Sequence, residues 1–410
     1  MRILYLHQYF APPQVSGGTR SYEFARRLMA RGHRVCVITS TAHLPASYAR
    51  GNRAVEVEVA GIPTVIIPVP YSNSMPFGER MRAFVRFAVL ASVEAAKRPA
   101  DVVFATSTPL TIAIPGLAAS ARHRIPLVFE VRDLWPDIPI AIGALRNPAA
   151  KAAARLLEWL AYHASTRIVA LSPGMAEGVV RRGVDASRVK VIPNGCDVDL
   201  FDVPTERGKL IRDRLPGLAE RQPLILYAGT FGLANGVGYL VDVADAMRSV
   251  APDARFLLVG SGGEKDRVVQ RARSLGVLES NLWIWDSVPK AEVPNLLAAA
   301  TVAVSVFIPL PELWHNSANK FFDGLAAGKP VAINYGGWQA DLLRESGAGI
   351  VLPGTDPAAA ARMLGAFVHD EEQLRHASQA ARRLAYGPFH RDRLARELET
   401  VLYEAVGKGL

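Results

Sequence analysis

Lys320 and Asp323 stand three positions apart in a polar-to-apolar stretch that runs from Trp314 to Pro330. If that stretch is helical, both side chains lie on one side of it, one turn apart. Gly328 and Pro330 end such a helix, and Val331 to Ile333 reads as the strand that follows. A polar loop feeding a helix N-terminus, with a cation added in the first turn, is physically an anion site, because free backbone N–H groups and the helix dipole point at whatever sits there. A surface helix with a solvated lysine and aspartate satisfies the same pattern.

Other stretches carry related chemistry. Gly17 and Gly18 lie between an apolar run and a helical one, where backbone can approach a phosphate or sugar closely. Gly229 to Gly236, with Thr230 and Asn235 inside it, and then Gly260 to Gly263, repeat that arrangement twice in the second half. Three anion-friendly loops on one sheet edge, counting that of Lys320, point to a nucleotide diphosphate. Glu130, Arg132 and Asp133 follow a buried strand and so belong at a carboxyl edge, and three ionisable groups in four residues can hardly all be core. A turn-capping Asp133 salt-bridged to Arg132 is the structural alternative. Pro193 to Asp197 contains Asn-Gly, a turn signal, and reads as a hinge. Arg80, Arg82 and Arg86 flank Phe77, Met81, Phe84, Val85 and Ala88 at helical spacing, the pattern of an interfacial helix on anionic lipid or of a core-packed helix with a solvated basic face.

The elements that must position these residues alternate along the chain. Ile3–Leu6, Val35–Ile38, Val102–Phe104, Leu127–Phe129, Ile168–Ala170 and Val191–Ile192 are apolar strands, separated by helices such as Ser21–Arg31 and Pro109–Arg122. After a polar linker from Phe201 to about Gln222 the pattern restarts with Leu224–Tyr227, Phe256–Val259, Leu282–Trp285, Val302–Val306 and Val331–Ile333. The expectation is α/β, two doubly wound domains facing across a cleft. Residues 1–200 would form the first domain and 201–386 the second. Residues 387–410, with a last helix from Arg391 to Val406, would cross back onto the first.

Composition narrows the function. Half of the 410 residues are apolar, and the two cysteines, Cys36 and Cys196, stand alone, which argues against disulfides and zinc. The N-terminus turns polar too soon for a signal peptide and no apolar run reaches membrane-span length, so the expected location is cytoplasmic. Residues 1–200 hold 24 Lys and Arg against 14 Asp and Glu, a net of +10, whereas the remainder holds 23 against 24. Such asymmetry points to an acidic partner, and an anionic membrane surface ranks above nucleic acid, for which no binding motif is present.

Taken together, the Gly17–Gly18 loop, Arg31-Gly32-His33, Asp133 to Pro136, Ile192 to Asp197, the Gly229 loop, Gly260 to Gly262 and above all Ser317 to Pro330 resemble the family 4 retaining glycosyltransferases of the GT-B fold. The resemblance is greatest to the branch that builds bacterial surface polysaccharides. It covers nearly the whole chain and implies two Rossmann-like domains, with a nucleotide sugar, usually a UDP-sugar, as co-substrate and no further cofactor or metal. It implies that Asp323 contacts the ribose hydroxyls, Lys320 the diphosphate, and Gly17 and Gly18 that diphosphate from the other domain, with the base read near Val288. Donor contacts would also come from Gly229, Gly260, Gly262 and Asn319, and Arg132 and Asp133 join Lys320 as catalytic candidates.

The chain departs from the family pattern at His315, where a glutamate is usual, at Thr230 and Asn235, where a cationic pair is usual, and at Arg132, where a histidine is often found. Lys320 is then the main remaining cation of the donor site. The implied acceptor is a lipid-linked saccharide at the inner face of the plasma membrane. A UDP-sugar epimerase and a non-catalytic sugar-nucleotide-binding subunit are the alternatives. A dehydrogenase is disfavoured, because no strand is followed by G-x-G-x-x-G.

Overall fold

A computed structural model describes residues 1–48, 51, 53–72, 75–219 and 221–407. The side chain of Phe77, expected on the apolar face of its helix, and residues 408–410 of the returning segment lie outside the described residues. The chain divides into two compact units, Met1–Pro193 with the chain from Asp392 onward, and Asn194–Arg391.

The first unit is built on an eight-stranded sheet. Its strands are β1 (Arg2–Leu6), β2 (Arg34–Ser40), β3 (Val55–Val59), β4 (Ile62–Ile67), β5 (Val102–Thr106), β6 (Leu127–Val131), β7 (Arg167–Ala170) and β8 (Val189–Val191), in the order β3-β4-β2-β1-β5-β6-β7-β8. All neighbours are parallel except the β3–β4 pair. Strands such as Val102–Thr106 are buried along their whole length, as a sheet covered on both faces requires. One face packs on helices Phe77–Ala96, Ala113–His123 and Pro148–Ala164. The other packs on helix Arg20–Ala30 and on Leu394, Leu398 and Leu402 of the returning helix Arg391–Val406. That helix is further tied by Arg31 and His33, whose Nε and Nε2 lie 2.5 and 2.7 Å from the two Glu399 oxygens.

The second unit holds a six-stranded, wholly parallel sheet, β11-β10-β9-β12-β13-β14, made of β9 (Leu224–Ala228), β10 (Arg255–Val259), β11 (Leu282–Trp285), β12 (Val302–Ser305), β13 (Val331–Ile333) and β14 (Gly349–Val351). Both sheets have the doubly wound, Rossmann-like form expected.

Two expectations change. The division falls between Pro193 and Asn194, and again between Arg391 and Asp392, and not at 200 and 386. The reason is that both crossing segments are stitched into the second unit: Cys196 N–H donates to the Phe389 carbonyl, Arg391 N–H to the Cys196 carbonyl, and the Arg391 guanidinium pairs with Asp197. The stretch from Phe201 to Gln222 is not a linker either. Thr205–Arg212 is a helix packed on helix Val293–Ala299, and Arg212 donates to the Ala299 carbonyl at 2.8 Å.

Candidate functional site

In the second unit the glycine loops and the Lys320 helix follow strands β9, β10 and β12, so all leave the carboxyl edge of one parallel sheet, where ligands of such folds bind. The loops extend the strand pairing: Gly229 N–H donates to the Val259 carbonyl and Phe231 N–H to that of Ser261. A Cβ at Gly260 would stand 1.8 Å from the Gly229 carbonyl oxygen, so only glycine lets the two loops run so close.

Lys320 lies in the first turn of helix Asn319–Ala326, whose N-terminus no side chain caps. The helix forms because Phe321, Phe322 and Leu325 bury one face against the core. The loop before it is held by Asn194, which donates from its backbone to Ser317 Oγ at 3.0 Å, and by Trp338, whose Nε1–H donates to the Asn316 carbonyl at 2.7 Å. The Lys320 stem packs on Gly229 so closely that a Cβ there would stand 2.7 Å from its Cδ. Its ammonium lies 5.2 Å from the Tyr227 ring centre and 5.6 Å from that of Phe307. Among the described residues no carboxylate pairs with it directly. Although Lys320 keeps some exposed surface, this dense surrounding lowers its pKa to about 8, a shift that the charge of Asp323 partly opposes.

Asp323 has a partner that no motif spacing announces. Lys290 Nζ lies 2.5 Å from its Oδ1, and both side chains are nearly buried, at 7% and 15% exposed. Lys290 is delivered by the short turn Lys290–Glu292 after Pro289 and also lies 5.2 Å from the Phe201 ring centre. Replacing Lys290 with methionine leaves a nearly buried carboxylate without this partner and is expected to destabilise the second unit by about 2–3 kcal/mol, as read by calorimetric melting. Lys290→Arg, which keeps the charge, is expected to retain most of the stability.

The remaining expected donor residues of the second unit are spread over its other loops and turns. Val288 lines a recess of about 620 Å³ with Trp285, Arg214 and Lys265, and the Arg214 guanidinium stacks 4.4 Å over the Trp285 ring centre. Thr230 is exposed, and Asn235 and His315 are half-buried at the ends of short helical turns. Asn319 begins the Lys320 helix and is half-buried, and Gly262 follows Gly260 along the same edge. A second recess, of about 550 Å³, opens beside Gly232 and Gly236, but its arginines Arg267 and Arg271 are paired with Glu264 and Asp242.

In the first unit, Glu130 is core, contrary to expectation. It is fully buried against Arg20, whose Nη2 stands 2.8 Å from its Oε1, and it accepts from Thr106 as well. Arg20 also donates to the carbonyls of Ile192 and Pro193, so it ties the end of the Gly17–Gly18 loop to the sheet edge. Gly17 is exposed at the loop tip and Gly18 half-buried.

Arg132 does not pair with Asp133. Its Nη1 lies 3.2 Å from His7 Nε2, and its backbone N–H donates to Ser107 Oγ. Burial first, then the charge of Arg132, hold the His7 imidazole neutral. Since arginine can only donate, His7 Nε2 accepts and its Nδ1–H donates to Ser21 Oγ, 2.9 Å away. Asp133 is left beside them with its pKa raised to about 6 by burial, which Arg132 partly opposes. His7 and Ser21 had no sequence signal, since the contacts join the end of β1 to helix Arg20–Ala30 and to the residue after β6.

Arg82 and Arg86 are exposed on helix Phe77–Ala96, whereas Arg80 is half-buried with its Nε enclosed near Tyr9, so it does not share their outward surface. Among the described residues, no three of His, Cys, Asp and Glu gather as a metal-ligand set, and no helix is long and apolar enough to cross a membrane.

Comparison with known proteins agrees with this architecture. The family model described as glycosyl transferase 4-like domain matches residues 17–195, and that of glycosyl transferases group 1 matches residues 213–384. The D-inositol 3-phosphate glycosyltransferase of Xylanimonas cellulosilytica is 29% identical over 65% of this chain and 64% of its own, so the chain spans a little under two thirds of that relative's length. The putative colanic acid biosynthesis glycosyl transferase WcaI of Escherichia coli is 25% identical over 68% of this chain and 70% of its own. The UDP-Gal:alpha-D-GlcNAc-diphosphoundecaprenol alpha-1,3-galactosyltransferase of Escherichia coli is 23% identical over 47% of this chain and 49% of its own. The solved structure of Anabaena Alr3699/HepE in complex with UDP and glucose has the same fold, with a TM-score of 0.73 over 98% of this chain and 100% of that one at 20% identity. With a 4-like domain in its first half and a group 1 domain in its second, the chain belongs to the glycosyltransferases of the GT-B fold.

Proposed function

We propose that the protein is a retaining glycosyltransferase that moves a sugar from a UDP-sugar to a lipid-linked saccharide during cell-surface polysaccharide synthesis, working at the inner face of the plasma membrane. The observation that carries this reading is the Lys320 ammonium, held against Gly229 at the sheet edge with no carboxylate among the described residues directly paired to it. A poorly solvated cation beside uncapped helix amides stabilises a diphosphate far better than one in water does. Support for the acceptor class comes from two relatives named for colanic acid biosynthesis and for a diphosphoundecaprenol acceptor. Support for the donor comes from the fold shared with a UDP-binding structure.

In the proposed reaction the bond between the anomeric carbon and the diphosphate oxygen breaks, and its electron pair stays on the diphosphate, where Lys320 meets the growing charge. The acceptor oxygen bonds the anomeric carbon from the same face, and its proton passes to a phosphate oxygen. Asp323, set by Lys290, takes the ribose hydroxyls, and Val288 and its recess take the base. On the first unit Asp133 accepts a hydrogen bond from the acceptor hydroxyl, with Arg132 and His7 fixing its surroundings. No step of this scheme draws on a metal.

These assignments set a pH dependence. Asp133 must be ionised and Lys320 protonated, so kcat/KM is expected to rise as pH climbs through about 6 and to fall as it passes about 8. Asp133→Asn should remove the acid limb and leave the alkaline one. A flat profile between pH 5 and pH 9 (about one unit outside each limb) would count against both roles. The reaction class is tested by incubating the protein with UDP-sugars and a membrane extract. Acceptor-dependent UDP release supports transfer, an epimerised donor supports an isomerase, and binding without turnover supports a non-catalytic subunit. Arg82 and Arg86 are assigned to anionic headgroups, and that contact should weaken with salt.

A further inference from the structure

Helix Pro148–Ala164 is apolar on the side that the core does not use. Its inward face buries Ala161 and Tyr162, and its one acid, Glu158, is buried against Arg182, 3.2 Å away. Its outward face is also apolar: Leu156 is 59% exposed, Trp159 51% and Leu160 39%, with Ala149, Ala152 and Ala153 exposed on the turns before them. Two helices away, Phe77–Ala96 exposes Val85, Val89 and Val93 at successive turns. Helix Ala113–His123, with Ile114 exposed, packs between the two on the same face of the sheet. Among the described residues fourteen large apolar side chains are exposed, and seven of them lie on these three adjacent helices. Such concentration marks a contact surface, since single exposed apolar residues are scattered on ordinary surfaces.

We infer that this three-helix face inserts into the headgroup layer of an anionic membrane, with Trp159 and Leu156 as its anchors. The charges select lipid over a second copy of the chain. Arg82 and Arg86 lie exposed on the valine helix, whose one exposed acid is Glu79, and Arg155 lies exposed beside Leu156, 4.0 Å from Asp137, while the Pro148–Ala164 helix shows no exposed carboxylate of its own. A self-interface would set these cations against each other, whereas phosphate headgroups complement them. A helix lying in the interface with apolar residues below and arginines at the rim, and with tryptophan at headgroup depth, is the arrangement lipid favours. The inference extends the proposed membrane association from charge attraction to insertion. It rests on that reading for its partner and does not depend on the transfer reaction.

The test uses the full chain and vesicles of equimolar phosphatidylglycerol and phosphatidylcholine. Sedimentation should show a binding component that survives high salt, and Leu156→Ser with Trp159→Ser should lose roughly tenfold or more of it while melting like the parent. Brominated phosphatidylcholine should quench tryptophan emission in the parent, and should do so far less in Trp159→Phe, which still binds. Equal quenching in parent and Trp159→Phe, or salt-resistant binding unchanged in the double serine variant, overturns the inference. So does a parent dimer that the double variant converts to monomer without altered vesicle binding. Transfer activity without salt-resistant binding would refute insertion alone; insertion without acceptor-dependent UDP release would refute the proposed reaction alone.

Discussion

Lys320→Ala should lower turnover roughly 10²–10³-fold while the protein still folds, the scale of removing one preorganised electrostatic stabiliser. The size follows from what is left behind. Thr230 and Asn235 carry no charge, and the two arginines of the recess beside Gly236 are already paired with Glu264 and Asp242. Among the described residues, no other cation of the second unit's strand edge is positioned as Lys320 is, between Gly229 and the rings of Tyr227 and Phe307. The loss should appear mainly in kcat, because charge on the diphosphate grows as the sugar leaves. Lys320→Arg should recover little. The stem is already so near Gly229 that a single added carbon would collide with it, and the broader guanidinium has no room to stay in register. Steady-state UDP release with saturating donor checks both variants. Turnover within threefold of the parent for Lys320→Ala would take the catalytic role from Lys320.

Arg20→Met should be the most destabilising single change in the first unit, by about 3–5 kcal/mol. Arg20 and Glu130 are both completely buried, and the guanidinium also serves the carbonyls of Ile192 and Pro193. Removing the cation leaves a buried carboxylate with only the Thr106 hydroxyl among these partners. For a unit of this size the loss corresponds to a fall of roughly 10 °C in melting temperature by calorimetry. Removing the charge as well, in Arg20→Met with Glu130→Leu, should restore much of it, since apolar replacement of a whole buried pair is often neutral. A melting point for Arg20→Met within a degree or two of the parent would show that the pair is not holding the edge. The change should also disturb function, because Arg20 follows the Gly17–Gly18 loop directly.

Periodicity made much of the fold legible. Buried parallel strands are continuous apolar runs, so Leu224–Tyr227 and Phe256–Val259 could be read directly, and helix Arg391–Val406 has the bounds expected of it. The β3–β4 hairpin escaped notice because Val55–Val59 alternates apolar and charged residues at a sheet edge, and β14 is only three residues long. Helix Thr205–Arg212 is polar enough to pass for a linker, and only its packing on Val293–Ala299 shows otherwise.

The candidate site divides in the same way. By itself the sequence determined that Lys320 and Asp323 share a helix turn after a strand, and that glycine loops accompany them, because those are local spacings. Tertiary structure alone decided the electrostatics. Asp323 finds Lys290 thirty-three residues away, and Glu130 finds Arg20 across 110. Arg132 turns to His7 rather than to its neighbour Asp133, and Arg80 turns inward while Arg82 and Arg86 face out. Whether a charge is solvated, paired or stranded depends on what the fold brings within a few ångströms, and the energy of each state changes with that distance and with burial far more than with residue type.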